Sequence, residues 1–156
     1  MLVCWSIKGG VGTSTVAAGL ALALAARHGR CLLVDLCGDQ PALFGLDPGP
    51  VPGASDWVAA EGDLGVDALA RLELPLADGV ALLPCGSAAD PRARIGSLLA
   101  ALAERDEPVV VDAGLGGAAV AAAAERSLLV VRACPLSAAA VAAQDTVPTG
   151  VVVVRP

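Results

Sequence analysis

The sequence predicts an α/β fold of three layers around a mostly parallel central sheet. Apolar runs of strand length recur along the chain, and they are continuous rather than alternating, as strands covered on both faces must be. Helical patterns lie between several of these runs. The first run is followed at once by a glycine-rich loop and an alanine-rich helical stretch, the order strand, loop, helix. With 156 residues and 56% apolar side chains, the sequence suits a single domain over 1–156 with ample core.

The elements follow in chain order. Leu2–Ile7 is the first strand. Ser14 to Ala26 is the first helix, closed by a cationic last turn at Arg27 and His28 and by Gly29 at the position where helices turn left-handed. Cys31–Leu36 is the second strand. The stretch Asp47-Pro48-Gly49-Pro50-Val51-Pro52-Gly53 is too rich in Pro and Gly for helix or strand and reads as a loop excursion. Ser55-Asp56 is a good helix start, with Trp57 stapling a short helix to the core; a partner-binding tryptophan is the alternative there. Val80–Leu83 is a further strand. Pro91 to Arg105 predicts a helix, with Asp90 as N-cap and Pro91 in the first position. Ile95, Leu98, Leu99 and Leu102 share one face of it, Arg105 complements its C-terminal dipole, and Pro108 stops it. Val109–Val111, Ser127–Val131 and Val151–Val154 complete the strands.

Composition excludes several classes. Aromatic residues are limited to Trp5, Phe44 and Trp57, so helix packing has to rest on small side chains. The net charge is −6 and the nine arginines are scattered, with Arg92 and Arg94 the only tight pair. Autonomous nucleic-acid binding needs a concentrated basic surface, which this pattern lacks. The longest apolar runs, Val16 to Ala26 and Ala118 to Ala124, are too short to span a bilayer. Lys8 and its glycines interrupt the first apolar run too early for a signal peptide. Cys4, Cys31, Cys37, Cys85 and Cys134 show no metal-ligand spacing; all but Cys37 lie in or beside apolar strands and read as buried thiols of a reducing cytosol.

Lys8 is the only lysine in the chain. It opens Lys8-Gly9-Gly10-Val11-Gly12-Thr13-Ser14-Thr15, between the first strand and the first helix. A phosphate loop needs much backbone and little side chain. Glycines let successive N–H groups face one concavity, and the helix adds its positive end. Ser14 is placed to offer a hydroxyl to magnesium. A plain glycine turn is the alternative, but it leaves Asp35 and Asp112 unexplained. Each carboxylate ends an apolar strand, at the edge where such folds bind ligands. Either one alone reads as a turn cap; both together with the loop read as a nucleotide site, with Asp112 holding magnesium through water.

The run Lys8 to Thr15, with Leu32-Leu33-Val34-Asp35-Leu36 and Val109-Val110-Val111-Asp112, resembles the deviant-Walker P-loop ATPases of the MinD/ParA superfamily. Their loop reads K-G-G-x-G-K-[ST]. The resemblance spans nearly the whole chain and implies a three-layer P-loop NTPase-like fold, ATP or ADP with magnesium as ligands, a possible homodimer, a protein partner and a cytoplasmic setting. It implies that Lys8 reaches across a nucleotide-sandwich dimer to the other subunit's phosphates. Gly9, Gly10, Val11, Gly12, Thr13, Ser14 and Thr15 form the nucleotide loop, and Ser14, Asp35 and Asp112 serve the metal. Lys8, Asp35 and Asp39 are the candidate catalytic residues.

Three departures shape the expectation. The second loop lysine of the superfamily is Thr13 here. A charge-assisted hydrogen bond is worth roughly 1.5–3 kcal/mol, so its loss costs about one to two orders of magnitude in affinity. The second aspartate of the superfamily's D-x-D motif is Cys37, a poor substitute for a carboxylate that orients water, with Asp39 two residues on. The third is length. The resemblance implies further strands and helices after Val151–Val154, including the adenine pocket and, in membrane-cycling members, a terminal membrane-binding helix. The sequence stops at Arg155-Pro156, so a C-terminally short domain without a membrane anchor is expected, either naturally short or a fragment.

The expected function is that of a nucleotide-binding regulatory or positioning protein with weak or absent hydrolysis. Among superfamily roles, pilus assembly or septum placement suits its charge better than DNA partition. A nucleotide-free pseudo-ATPase interaction module is the alternative. A dinucleotide-binding enzyme has Gly10-Val11-Gly12 and Asp35 in its favour, but Thr15 stands at its third glycine and Lys8 and Asp112 go unexplained. An amide-forming ligase similar to dethiobiotin synthetase lacks a recognisable substrate segment. His28 reads as a dipole complement. Ser6 and Arg132 are each placed either near phosphate or base, or in ordinary surface roles.

Overall fold

The computed structural model describes residues 1–47, 49–60, 66–88 and 94–155. In chain order it contains β1 (Leu2–Ser6), α1 (Thr13–His28), β2 (Cys31–Asp35), α2 (Gln40–Leu43), α3 (Ala54–Ala59), α4 (Val66–Ala70), β3 (Leu74–Pro75), β4 (Val80–Leu83), α5 (Ile95–Ala103), β5 (Val109–Leu115), α6 (Ala118–Ala122), β6 (Ser127–Arg132), α7 (Pro135–Ala142) and β7 (Gly150–Val154). The strands form one seven-stranded sheet in the order β3-β4-β2-β5-β1-β6-β7. Every neighbouring pair is parallel except β3 with β4.

Alternation of side chains sorts the core into two layers. Val3, Trp5, Leu32, Val34, Val109, Val111 and Leu129 point to one face, where they meet Val58 of α3, Leu98 and Leu102 of α5 and Val120 of α6. Cys4, Cys31, Leu33, Leu82 and Val110 point to the other, beneath α1. That helix offers Ala17, Ala21 and Ala25, four residues apart on one stripe. Small residues let α1 lie close on the sheet, which explains a core with so few aromatics. Among the described residues, no helix is long and apolar enough to cross a membrane.

The predicted strands are all present, and β5 runs on to Leu115. The first helix begins one residue earlier than the sequence suggested, at Thr13, and ends on Gly29, whose φ of 85° and N–H bond to the Ala25 carbonyl close it. The Asp47–Gly53 loop is irregular where it is described, with Pro48 outside the described residues. Trp57 is half-buried on α3 against the first core layer.

Three expectations need correction. The helix expected over Pro91 to Arg105 is α5, Ile95–Ala103; Asp90, Pro91 and Arg92 lie outside the described residues. Arg105 follows the helix and is no dipole complement. Its guanidinium is held between Glu73 (2.8 Å) and Glu107 (2.6 Å), all three side chains being 11–14% exposed. A carboxylate two residues on, Glu107, and one from a distant loop, Glu73, outweigh a helix end for a charge that is leaving water. Cys85 and Cys134, expected to be buried thiols, are half-buried; Cys4 and Cys31 are buried as expected. Burial pushes the Cys4 thiol up to about 12 and the Cys31 thiol up to about 11.

β3 was not anticipated. It pairs antiparallel with β4, Leu74 opposite Leu82 and Pro75 opposite Ala81. The turn joining them places Asp78 at φ 58° and Gly79 at φ 78°. A Cβ on Gly79 would lie 2.5 Å from the Gly29 carbonyl oxygen, so this glycine lets the turn pass close to the end of α1.

Candidate functional site

β1, β2 and β5 are adjacent in the sheet, and their C-terminal ends converge on one edge. The loop from Ile7 to Gly12 leaves β1 there and enters α1. Gly10 (φ 70°) and Gly12 (φ 95°) are left-handed, a conformation that aims neighbouring N–H groups into a common hollow. Gly12 is the N-cap and offers no side chain, so the first amides of α1 are open. The loop borders a cleft of about 740 Å³, lined among others by Gly9, Gly10, Gly12, Thr13, Ser14, Thr15, Cys37, Asp39 and Gly114. That size suits a small-molecule ligand. Val11 is buried and contributes backbone alone.

Three further groups meet at the base of the cleft. Asp35 ends β2 and pairs in register with Asp112 of β5, and both are fully buried; Asp112, expected to end its strand, lies within it, because pairing with β1 carries β5 on to Leu115. Asp35 accepts main-chain N–H bonds from Cys37 (2.8 Å), Gly38 (2.8 Å) and Gln40 (3.0 Å), so it also holds the shape of the following loop. Asp112 accepts from the Gly114 N–H at 3.2 Å, from Gln40 Nε2 at 2.7 Å and from the Ser14 side chain. The Cys37 thiol lies 3.5 Å from the Asp112 carbonyl oxygen and 3.9 Å from Asp112 Oδ1. Asp39 is exposed on the cleft wall.

Gln40 is the residue that sequence reasoning missed. It is fully buried and its amide also donates to the Ser14 carbonyl at 3.0 Å, tying the α1 start to both aspartates. The one hint in the sequence is a polar residue closing Asp35-Leu36-Cys37-Gly38-Asp39-Gln40 just before Pro41. Gly114 was missed too. Its φ is 56°, and a Cβ there would strike the Cys37 Sγ.

Lys8 is exposed and reaches the start of α7, its Nζ 3.9 Å from Cys134 Sγ. Cys134 caps α7, and the hydrogen bonds it receives from Ser137, with the Lys8 charge behind them, lower its thiol from the usual value. Ser6 is buried on the cleft wall. Arg132 and His28 are exposed, at the end of β6 and in the last turn of α1.

Burial is the main force on both aspartates, raising each above the ordinary carboxylate value. The Asp112 charge raises Asp35 further, and the Asp39 charge raises Asp112. The sign of the pH effect follows. The unfolded chain ionises these groups near 3.8, the fold only at higher pH, so the native state holds more protons in between. Stability contributed by these groups is greatest on the acid side and falls as pH rises from 3.8 through the raised values. In metal-free buffer, the thermal midpoint of Asp112→Asn therefore rises less than that of the parent chain on going from neutral to mildly acidic pH. Equal slopes would contradict this.

The family model for the cellulose biosynthesis protein BcsQ matches residues 1–107, which include the loop, Asp35 and the strands β1 to β4. The chain belongs to the BcsQ family. BcsQ-family proteins are ParA/MinD-like, so the MinD/ParA superfamily reading of the loop holds. None of the curated proteins compared matches this sequence. Among solved structures, the BcsQ-family chain is similar to the kinase domain of the Escherichia coli tyrosine kinase ETK, with 20% identity and a TM-score of 0.75 over 97% of this chain and 66% of that one. It is similar to a ParA family ATPase from Chlorobium tepidum, with 19% identity and a TM-score of 0.75 over 99% and 72% of the two chains. A third is cobyrinic acid a,c-diamide synthase from Mycobacterium smegmatis with a bound ATP analogue and magnesium, with 22% identity and a TM-score of 0.69 over 99% and 73%. These likenesses establish the P-loop NTPase-like α/β fold. The chain spans about two thirds of the length of the first of them.

Proposed function

We propose that this BcsQ-family chain binds ATP or ADP with magnesium through Gly9 to Thr15 and acts as a regulatory or positioning protein with slow or absent hydrolysis. The observation that carries this reading is the open start of α1 facing a cleft, with the Ser14 side chain hydrogen-bonded to the buried Asp112. That donor set fits a magnesium nucleotide. Backbone amides and a helix N-terminus suit phosphate oxygens, and a hydroxyl beside a carboxylate suits a hydrated hard cation. Asp35 positions the loop through its three amide bonds, and Asp39 is the carboxylate left to orient water. When bound, magnesium supplies charge neutralisation on the phosphates.

The groups that speed phosphate cleavage are the weak part of the site. Thr13 and Cys37 stand where the superfamily carries a lysine and an aspartate, and neither brings the charge. Lys8, exposed beside the loop, is free of the cleft and suits a role toward a second subunit's phosphates. The reading extends to a cytoplasmic single domain that works as a nucleotide-dependent homodimer with a protein partner in bacterial cell organisation.

The pseudo-ATPase reading is favoured by one observation: Thr13, not a lysine, lines the cleft at the start of α1, and Lys8 does not line it, so no ammonium of the loop borders the cleft. The thermal midpoint separates the two. A ligand of the native state must raise it, by about 2.7 kcal/mol of stability at a hundredfold excess over the dissociation constant. We expect a rise of several degrees with Mg-ATP or Mg-ADP. An unchanged midpoint at millimolar nucleotide would favour the nucleotide-free module.

A further inference from the structure

We propose that Asp35, Cys37 and Asp112 form a binding site for a divalent cation of borderline softness, of the zinc class, ligated directly by the Cys37 thiolate and needing no nucleotide. This goes beyond the magnesium–nucleotide reading and does not rest on it.

The side-chain ligand atoms of these three residues all lie within 4.8 Å of one another. The distance from the sulfur to the carboxylate oxygen Asp112 Oδ1, 3.9 Å, is near the spacing of two ligands around one tetrahedral ion at about 2.0–2.3 Å. Only a small inward shift of the half-buried Cys37 is required. The chemistry is selective. Magnesium takes oxygen ligands in near-octahedral geometry and keeps its waters, whereas thiolate with carboxylate is a zinc-class donor set. Replacing a carboxylate by a thiol at this position therefore changes which cation the cluster holds.

Two independent observations say that a cation is wanted here. Asp35 and Asp112 are wholly buried side by side, and among the described residues no ion pair reaches either. Buried carboxylates are ordinarily paired or metal-bound. Gln40 is wholly buried as well and touches both carboxylates, its main-chain N–H on Asp35 and its side-chain Nε2 on Asp112. The oxygen of the side-chain amide, Oε1, has no hydrogen-bond partner. It is a carbonyl ligand placed one amide's width from the Asp112 carboxylate. On binding, the Cys37 thiol proton passes to solvent as the metal–sulfur bond forms. The ion then competes with the Ser14 side chain for Asp112, coupling occupancy to the nucleotide loop.

The test uses Co²⁺ alone with the full chain, in a phosphine reductant and without nucleotide. The expected result is a thiolate-to-cobalt charge-transfer band that saturates at one ion per chain, is displaced by Zn²⁺ and persists in excess Mg²⁺. Cys37→Ser removes the band, Cys134→Ser keeps it, and Asp112→Asn weakens binding at least about tenfold. Alkylation of the unmutated chain, located by mass spectrometry, gives a reading independent of any variant's folding: Zn²⁺ should protect Cys37 selectively. Absence of the band, its survival in Cys37→Ser, or equal labelling of Cys37 with and without Zn²⁺ would overturn the proposal. A chain that binds Mg-ATP but gives no band loses this site alone; one that gives the band and binds no nucleotide loses the other reading alone.

Discussion

Thr13→Lys is expected to tighten Mg-nucleotide binding by about one to two orders of magnitude. Thr13 lines the cleft at the first position of α1, so a lysine stem there carries its ammonium toward the phosphates. A charge-assisted hydrogen bond contributes roughly 1.5–3 kcal/mol, and about 1.4 kcal/mol is tenfold. Adding Cys37→Asp is expected to raise turnover well above that of the single variant, because a carboxylate then stands where water must be oriented. It also sets a third carboxylate against two buried ones, so the double variant should depend on magnesium for stability where the parent does not. Isothermal titration of the single variant and phosphate release by the double one check both steps. A Thr13→Lys affinity equal to that of the parent would mean that the loop does not face phosphate.

Arg105→Ala is expected to cost about 3 kcal/mol, the lower end for breaking a buried ion pair, and to lower the thermal midpoint by about 6–12 °C. The guanidinium serves Glu73 and Glu107 at once, and its removal leaves Glu73 without a cation and Glu107 with only the more distant Arg30, at 3.6 Å. Burial already raises Glu73 above its ordinary value, with the Arg105 charge opposing that rise. Replacing the whole cluster, Arg105→Met with Glu73→Gln and Glu107→Gln, should recover most of the loss, since no charge is then left unpaired. Calorimetry of the two variants decides it. A midpoint unchanged in Arg105→Ala would show that solvent, rather than Arg105, stabilises these carboxylates.

The parts of the fold legible in the sequence are those set by local chemistry. Continuous apolar runs such as Cys31–Leu36 announce strands covered on both faces, and Gly29 announces the end of α1. β3 escaped because two residues carry no period; Leu74 and Pro75 are a strand only through their register with β4. The site divides in the same way. Its glycine loop and strand-end aspartates are contiguous signals that any reader of the chain meets. Gln40 makes its decisive bond to Asp112 across 72 positions, and Cys37 approaches the same carboxylate across 75. Such pairings exist only once β2 and β5 lie side by side. Arg105 misled for the same reason: a basic residue after a helical pattern looks like a dipole complement until the fold brings the loop holding Glu73 against it, beside Glu107.

The account rests on an open ring of amides at the head of α1 that accepts phosphate. Equilibrium titration of the full chain with a fluorescent ATP analogue and magnesium measures this directly. Saturable binding at one nucleotide per chain, competed by unlabelled ADP and weakened when magnesium is chelated, is the predicted result. No detectable complex at millimolar nucleotide would contradict it.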